Sequence, residues 1–316
     1  MANAFRFSTN MPALTGPMSQ WRDQLRRIED LGYWSVAVSD HFTAGWKMEP
    51  LVAMTAALEA TTTLRVMPLV LGNDYRHPVL LHKSLATLDV LSEGRVEIGL
   101  GAGWMESDYL AANMPYDPAP VRIERLGESV EVIKGLFNPE PFSYVGKHYQ
   151  ITELDGLPKP VQQPHPQILI GGGSRRVLEL AGRSADIIGI NPVMRRDRAD
   201  GLALLDLTSD GVAKKVAIAR TAALAAGRDP DTLRYHTSIR SMDITDVPDS
   251  RRWVSSMATD VTDPAVLADS PAVLHGTVAS CVEQLRRRRD EFGLDYFHMG
   301  GDPVAAAPIV ARLAGS

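Results

Sequence analysis

Short β-prone runs alternate with amphipathic helical stretches along almost the whole chain, and this alternation constrains the fold more than any other feature. Parallel strands joined by helices bury both faces of their sheet, either as an open doubly wound sheet or as a closed barrel. Eight strand and helix units follow one another without a repeat break, which favours a (β/α)8 TIM barrel. The predicted strands cover residues 5–8, 33–39, 64–71, 95–100, 167–170, 186–190, 235–244 and 295–299.

The length of 316 residues fits one such barrel, so we predict a single domain over residues 1–316. Two stretches interrupt the alternation. Residues 138–166 are rich in proline and contain two short β-prone pieces, which predicts a hairpin-bearing insertion. A polar segment predicts a second insertion at residues 245–276. Because (β/α)8 barrels work at the C-terminal ends of their strands, we expect both insertions on that face.

The composition argues against several classes of function. The chain has 33 Lys and Arg against 38 Asp and Glu, and its net charge of −5 offers no positive excess for nucleic acid. No apolar run approaches the roughly 20 residues that span a bilayer, and the N-terminus lacks a secretory signal, so we predict a cytoplasmic protein without a membrane partner. The lone Cys281 cannot form an internal disulfide, and the eight histidines lack metal-binding spacing, so no metal site is predicted.

A polar segment, Ser39-Asp40-His41-Phe42, directly follows the second predicted strand. His41 is a candidate general acid or base, because an imidazole titrates close to neutral pH. The alternative is a structural histidine that is hydrogen-bonded to Asp40 or to backbone. The expected position of His41 at a barrel mouth favours the functional interpretation.

Alternating glycines, Gly99, Gly101 and Gly103, follow the fourth predicted strand and lead into Trp104. Glycines at a strand end let the backbone approach a ligand closely, although many strands end in such turns. The spacing differs from the dinucleotide-binding fingerprint. Trp104 and Trp46 either stack on a bound ring or cover the core.

A third segment, Gly171-Gly172-Gly173-Ser174-Arg175, leads from the fifth predicted strand directly into a helix. Free backbone N–H groups at a helix start, with a hydroxyl and an arginine, favour phosphate binding over a simple flexible turn. Asn191, after the sixth strand, is placed to add a donor. After the third strand, Asn73 is a candidate ligand contact, whereas Arg76 and His77 are better explained as ion-pair and helix-start residues.

Taken together, these strand ends resemble the bacterial luciferase-like monooxygenase superfamily, in particular the branch that uses the deazaflavin coenzyme F420. The resemblance covers nearly the whole chain. It is most specific in the block from Ala86 to Trp104, which reads ATLDVLSEGRVEIGLGAGW. The other matching segments are Ser39-Asp40-His41-Phe42, Arg76-His77-Pro78, Ile170-Gly171-Gly172-Gly173 and Ala181-Gly182-Arg183-Ser184-Ala185-Asp186.

The resemblance implies a barrel that holds coenzyme F420, or alternatively FMN, at the strand ends. Asp40 and His41 would lie near the reactive ring carbon, and the third strand would back the ring through a bulge with a non-prolyl cis peptide. Ala102 and Gly103 would touch the ring or its side chain, while Gly172, Gly173 and Ser174 would take the phosphate. The full set of implied cofactor-binding residues is Leu69, Val70, Gly72, Asn73, Ala102, Gly103, Ser107, Gly172, Gly173, Ser174, Arg175 and Asn191.

One difference from this superfamily narrows the range of expected substrates. Members that oxidise a sugar phosphate carry a glutamate where this chain has Trp104, so sugar-phosphate oxidation is disfavoured. His41 becomes the leading proton donor or acceptor, ahead of Glu106 and Tyr109. We predict hydride transfer between the deazaflavin and a small organic substrate, with a catalytic site composed of His41, Asp40, Trp46 and Trp104.

Two other functions stay open at this point. An FMN-dependent monooxygenase would use reduced flavin and oxygen within the same fold. A non-catalytic ligand-binding barrel would have kept the fold and lost the chemistry. Dimers are common among the proteins that this chain resembles, so we expect a homodimer.

Overall fold

The computed structural model describes residues 3–194, 205–245, 267 and 269–316. Thirteen strands lie within these ranges, and most of them are parallel. In chain order they are β1 (Arg6–Asn10), β2 (Ser35–Val38), β3 (Arg65–Pro68), β4 (Leu71–Gly72), β5 (Ile98–Gly101), β6 (Phe142–Val145), β7 (Gln150–Leu154), β8 (Ile168–Gly172), β9 (Ile187–Ile190), β10 (Arg234–Ile239), β11 (Ser241–Ile244), β12 (Val273–Gly276) and β13 (Leu294–Met299).

Nine of these strands form one parallel sheet in the order β3-β2-β1-β13-β10-β9-β8-β5-β4. The two ends of this order, β3 and β4, are the halves of the third predicted strand. A parallel bridge from Val66 in β3 to Val96, just ahead of β5, joins the ends of the sheet. The predicted (β/α)8 barrel is therefore confirmed, with its third strand divided in two.

Helices surround the barrel, and local sequence explains their faces and ends. Trp21, Leu25 and Ile28 form the buried stripe of the first helix at spacings of four and three residues. His77 caps the third helix by accepting a backbone N–H, and proline occupies its first turn. The α-helices of the described ranges are α1 (Met18–Asp30), α2 (Pro50–Ala60), α3 (Pro78–Leu91), α4 (Glu106–Ala111), α5 (Ala119–Phe137), α6 (Arg175–Ser184), α7 (Ser209–Ala225), α8 (Val278–Phe292) and α9 (Pro303–Leu313).

The break between β3 and β4 is a bulge that enters the barrel at Leu69 and Val70, which are joined by a cis peptide bond. Neighbouring strands make room for it with glycine. A Cβ atom on Gly99 would lie 1.9 Å from the carbonyl oxygen of Pro68, and one on Gly101 would lie 2.7 Å from Val70 Cγ2. The glycines of β5 therefore accommodate the bulge itself, in addition to any approach that they allow to a ligand.

The two insertions differ in structure. Within residues 138–166, β6 and β7 form the antiparallel hairpin that the sequence predicts. The strand predicted over residues 235–244 is wrong as a single element, because β10 ends in the barrel and β11 pairs with β12 in a separate parallel sheet. The N–H groups of Arg240 and Ser241 both donate to the carbonyl of Ala272, which draws the chain away from the barrel. Most of the second predicted insertion, residues 246–266 and 268, lies outside the described residues.

A buried ionic cluster closes the barrel at the N-terminal ends of the strands. The fully buried Glu97 carboxylate accepts hydrogen bonds from Trp34 Nε1 at 2.8 Å and from the Tyr296 hydroxyl at 2.7 Å. Arg6 Nη1 lies 3.3 Å and Arg65 Nε 4.0 Å from the same carboxylate. We call these five residues the floor cluster.

A membrane-spanning helix and a metal site are both absent from the part of the chain that the structure describes. No described helix is long and apolar enough to cross a membrane. In the same ranges, no group of three or more His, Cys, Asp or Glu side chains is placed to hold a metal ion.

Candidate active site

The first feature of the barrel mouth is a histidine held by a buried carboxylate. His41 follows β2, and its Nδ1 lies 2.7 Å from Asp108 Oδ2 on the short helix α4. The Asp108 side chain is fully buried, whereas 16% of the His41 side chain is exposed. An Nδ1–H donated to the carboxylate leaves Nε2 to exchange a proton with a ligand. The partner of His41 is thus Asp108, not the adjacent Asp40 considered from the sequence.

Asp108 also organises the loop that carries His41. Its Oδ1 accepts hydrogen bonds from the backbone N–H groups of Phe42 and Thr43 and from the Thr43 hydroxyl, at 3.0, 2.9 and 2.6 Å. The Tyr75 hydroxyl donates to Oδ2 at 3.2 Å. Burial alone raises the pKa of Asp108, but the hydrogen bonds from Thr43 and His41 outweigh it and hold that pKa below its ordinary value. Asp108 is therefore an anion that fixes the His41 loop.

Two tryptophans flank the imidazole. The ring of Trp46 lies 5.5 Å from that of His41, and the ring of Trp104 lies 5.7 Å away in an edge-on orientation. Trp46 is 48% exposed, so it does not belong to the core. The Tyr116 hydroxyl donates to the Trp104 carbonyl at 3.0 Å and fixes the backbone there. Of the two interpretations of these tryptophans, stacking on a bound ring and covering the core, the exposure of Trp46 argues against the second.

Asp40 belongs to a separate ion-pair group. Arg76 Nη1 and Nη2 contact its two carboxylate oxygens at 2.6 and 3.1 Å, and Nη2 also contacts Glu49 at 2.6 Å. Asp40 Oδ2 further accepts the backbone N–H of Gly72 at 3.0 Å, directly after the bulge. Arg76 is thus an ion-pair residue, as the sequence predicts, and Asp40 acts through the backbone of the third strand.

The next predicted cofactor residues surround the bulge. Leu69 and Val70 form it, whereas Asn73 is only 1% exposed, and its amide nitrogen donates to Asp74 at 3.4 Å. The structure therefore does not bring the Asn73 side chain to the open mouth. Gly72 lies beneath Tyr75, whose ring would be 2.6 Å from a Cβ atom added there.

The residues after β5 are held in place by an arginine from α5. Arg122 donates to the carbonyls of Ala102 and Gly103. Gly103 has a φ of +72°, and a Cβ atom there would lie 2.0 Å from the Tyr109 hydroxyl. Ser107 Oγ lies 3.2 Å from Thr43 Oγ1, on the same loop as His41.

The two weaker proton-transfer candidates, Tyr109 and Glu106, lie on the same helix but in different surroundings. Tyr109 is completely buried, and its hydroxyl donates to Asp74 at 3.0 Å. Burial, followed by the charge of Asp74, raises the pKa of Tyr109 well above its ordinary value. Tyr109 is thus a structural residue, while Glu106 lies in the first turn of α4.

The predicted phosphate loop precedes α6. Ser174 is the N-cap of this helix, but its side chain caps no backbone N–H of the first turn. The hydroxyl and the first N–H groups of α6 are therefore suited to an anion. A Cβ atom on Gly173 would lie 2.4 Å from the carbonyl oxygen of Asn191, so glycine is required there by protein packing. Arg175 is directed away, because its guanidinium pairs with Glu179 at 2.8 Å and 79% of its side chain is exposed.

Asn191 is hydrogen-bonded to Arg240, a residue that was not predicted from the sequence. Its Oδ1 accepts a hydrogen bond from Arg240 Nη2 at 3.3 Å, and its backbone N–H donates to the Gly172 carbonyl at 3.2 Å. Arg240 directly follows β10, so the rule that functional residues follow barrel strands could have found it. Asp108 had a weaker signal, because it lies on a helix and its role depends on residues from two other loops.

These residues fit a flavin or deazaflavin with a phosphate-bearing side chain. The bulge offers a surface with small neighbours, and the start of α6 offers donors for a phosphate at the end of β8, whose Gly171 lies next to Val70. The fit does not distinguish the two ring systems.

Comparisons with known proteins agree with this architecture. The family described as luciferase-like monooxygenase has a sequence model that matches residues 4–295 of this chain. The chain belongs to the luciferase-like monooxygenase family. Among solved structures, an F420-dependent secondary alcohol dehydrogenase superimposes with a TM-score of 0.74 over 98% of both chains at 18% identity. At that identity the similarity shows the fold.

Curated relatives of this luciferase-like chain use different cofactors. One is an FMNH2-dependent dimethylsulfone monooxygenase of Pseudomonas putida, 32% identical over 168 residues, which are 52% of this chain and 46% of the relative. Another is an F420-dependent glucose-6-phosphate dehydrogenase of Amycolatopsis mediterranei, 30% identical over 167 residues, 51% of this chain and 49% of the relative. The matches thus span about half the length of these relatives, and the two cofactor classes are similarly close.

Proposed function

We propose that this luciferase-like protein is a coenzyme F420-dependent oxidoreductase that transfers a hydride between the deazaflavin and a small organic substrate. The observation that carries the proposal is the pair of His41 and Asp108 at the barrel mouth, 2.7 Å apart. When a hydride leaves or joins a carbon that bears oxygen, the oxygen must lose or gain a proton. A histidine fixed by a buried anion supplies that proton exchange.

The chain's residues divide this work. A bound deazaflavin supplies the hydride chemistry, and the protein supplies orientation and electrostatics. His41 takes or gives the substrate proton at Nε2, because Asp108 occupies Nδ1. Trp46 and Trp104 flank the imidazole and limit the access of water. Leu69 and Val70 would support the ring, and Ser174 with the start of α6 would hold the phosphate.

Separate titrations with oxidised F420 and with FMN test the choice of cofactor. Bound ligand should quench the fluorescence of Trp46 and Trp104, and a Trp46→Phe variant shows how much of the signal comes from the mouth. We expect F420 to bind at least about tenfold more tightly than FMN, which corresponds to 1.4 kcal/mol. Equal or tighter FMN binding would contradict the proposal.

A pair of variants tests the role of His41. We expect His41→Gln to lower kcat by about 10²- to 10⁴-fold and Asp108→Asn to lower it less, while the Kd of F420 changes little. His148→Gln is the matched control, because the structure pairs His148 with Glu124 and not with a residue of the His41 loop. Unchanged turnover in His41→Gln would remove the proposed acid-base role.

An FMN-dependent monooxygenase is the second candidate, favoured by the dimethylsulfone monooxygenase among the relatives. Flavin retained through purification, together with product formation that requires oxygen, would establish it. If no substrate in a broad panel reacts with either cofactor, a non-catalytic barrel becomes the better explanation.

The expected homodimer and cytoplasmic location belong to the same proposal. Sedimentation of the purified protein at several concentrations measures its oligomeric state. A monomer at all concentrations would contradict the expectation of a homodimer.

A further inference from the structure

Arg240 directly follows β10, at the C-terminal end of the barrel, and has no role in the function proposed above. Side chains alternate along β10, and the inward positions are occupied by His236 and Ser238 before Arg240 follows the strand. The Arg240 side chain reaches solvent, yet surrounding protein desolvates it enough to lower the pKa of the guanidinium. Both observations hold for a group inside a concave mouth.

The charge of Arg240 is not neutralised by the part of the chain that the structure describes. No ion pair joins the guanidinium to a carboxylate of the described residues, and its hydrogen bond to Asn191 is to a neutral amide. The positive charge of Arg240 acts on two buried histidines, His236 and His298. Burial first, and the positive charge of Arg240 after it, lowers the pKa of His298 to about 4, so this neighbour is neutral at pH 7.

Asn191 connects Arg240 to the bulge. A Cβ atom added to Gly171 would lie 3.3 Å from both Asn191 Nδ2 and Val70 Cγ1, so Gly171 has Asn191 and the bulge as neighbours. The Asn191 backbone N–H is bonded to the carbonyl of Gly172. Asn191 is thus located beside both the bulge and the loop that would hold the phosphate, and Arg240 contacts it from the end of β10.

We propose that Arg240 and Asn191 form an anion subsite that takes a delocalised oxyanion at the C-terminal ends of β9 and β10. Two sources share this chemistry: the pyrimidine edge of a reduced deazaflavin or flavin ring, and the carboxylate of an acidic substrate. A guanidinium offers parallel N–H groups to such an anion, and a cation beside the ring stabilises the form that carries more negative charge. The inference rests on the proposed function, because it requires a ring over the Leu69–Val70 bulge.

The experiment compares wild type, Arg240→Gln and Arg240→Lys under anaerobic conditions. The Kd values of oxidised and reduced F420, and of oxidised and reduced FMN, are measured by fluorescence. Benzoate is the carboxylate probe, titrated into the protein with and without cofactor. Arg220→Gln is the matched control, because Arg220, which lies on α7, already pairs with Asp231.

For a ring anion, Arg240→Gln should weaken binding of the reduced cofactor about tenfold to a hundredfold more than that of the oxidised form, with partial recovery in Arg240→Lys. For a substrate anion, both redox forms should bind as in wild type, and benzoate binding should be lost. Unchanged binding of all probes in Arg240→Gln would overturn the inference. If neither cofactor binds wild type, the proposed function fails, and benzoate binding alone decides the inference.

Discussion

The two ends of the barrel both contain buried charge but use it differently. In the floor cluster, Glu97 faces two arginines and accepts hydrogen bonds from two aromatic side chains. At the mouth, His41 and Arg240 each have one described polar partner, and both side chains reach solvent. Charge that is compensated within the protein stabilises the fold, whereas charge that faces an opening is available to a ligand.

Two of the fully buried carboxylates among the described residues, Glu97 and Asp108, sharpen this difference. The side chains that bind Glu97 come from strands or from residues next to them, so Glu97 links the strands to one another. Asp108 receives backbone and side-chain donors from the loops that follow β2 and β4. Glu97 therefore supports the scaffold, and Asp108 supports the loops that form the mouth.

The largest expected effect is on stability and comes from the floor. Glu97→Gln leaves Arg6 and Arg65 without their carboxylate, so we expect the free energy of unfolding to fall by about 3–5 kcal/mol. Urea denaturation measures it. The Kd of F420 should stay within about twofold of wild type, because the cluster lies at the other end of the barrel. Lost cofactor binding with unchanged stability would contradict the division between floor and mouth.

A smaller effect is expected where the bulge meets β5. Gly101→Ala places a methyl group 2.7 Å from Val70 Cγ2, and this overpacking should cost about 1–3 kcal/mol. Val70→Ala should relieve the clash, so the double variant should be more stable than the sum of the two single changes indicates.

Gly99→Ala is the control for that cycle. Its methyl group would meet the Pro68 backbone at 1.9 Å, which Val70→Ala cannot relieve. Equal rescue of both glycine variants would show that Val70 is not the obstacle at Gly101. Thermal unfolding of wild type, the three single variants and the two double variants measures all of these differences.

The smallest effect concerns the two histidines between the floor and the mouth. His298 is hydrogen-bonded to Ser8 at 3.0 Å and to Asn10 at 3.1 Å, whereas neither ring nitrogen of His236 has a described partner. We expect His298→Phe to lower the free energy of unfolding by about 1–2 kcal/mol and His236→Phe to leave it nearly unchanged at pH 7. A greater loss in His236→Phe would reveal a partner for that ring.

The same histidines predict a dependence on pH. Burial lowers the pKa of His236 to about 3 and that of His298 to about 4, so the unfolded chain binds protons that the folded chain does not. Stability should therefore fall as the pH drops from about 6.5 to about 4. Each replacement by Phe should flatten this decline, which unfolding experiments at pH 7, 6 and 5 would show. An unchanged slope in both variants would assign the decline to other groups.

Local sequence was sufficient for the order of the elements. Alternating apolar periods predict the barrel, and His77 and the proline after it mark the start of α3 where the structure has it. The glycines of β5 and β8 were correctly placed at strand ends, but their contacts with the bulge were not foreseeable. The division of residues 235–244 into β10 and β11 depends on pairing with Ala272, which is distant in the sequence.

His41 illustrates what the sequence by itself determined and what only the tertiary structure decided. Its position after a barrel strand follows from periodicity, which is encoded by neighbouring residues. Its partner Asp108 is 67 residues away, and the partner of Asp40 is 36 residues away. Such contacts have no local signature, because they depend on which loops meet when the strands close into a barrel. The sequence therefore located the reactive groups, and the closure of the barrel decided which of them are compensated and which face a ligand.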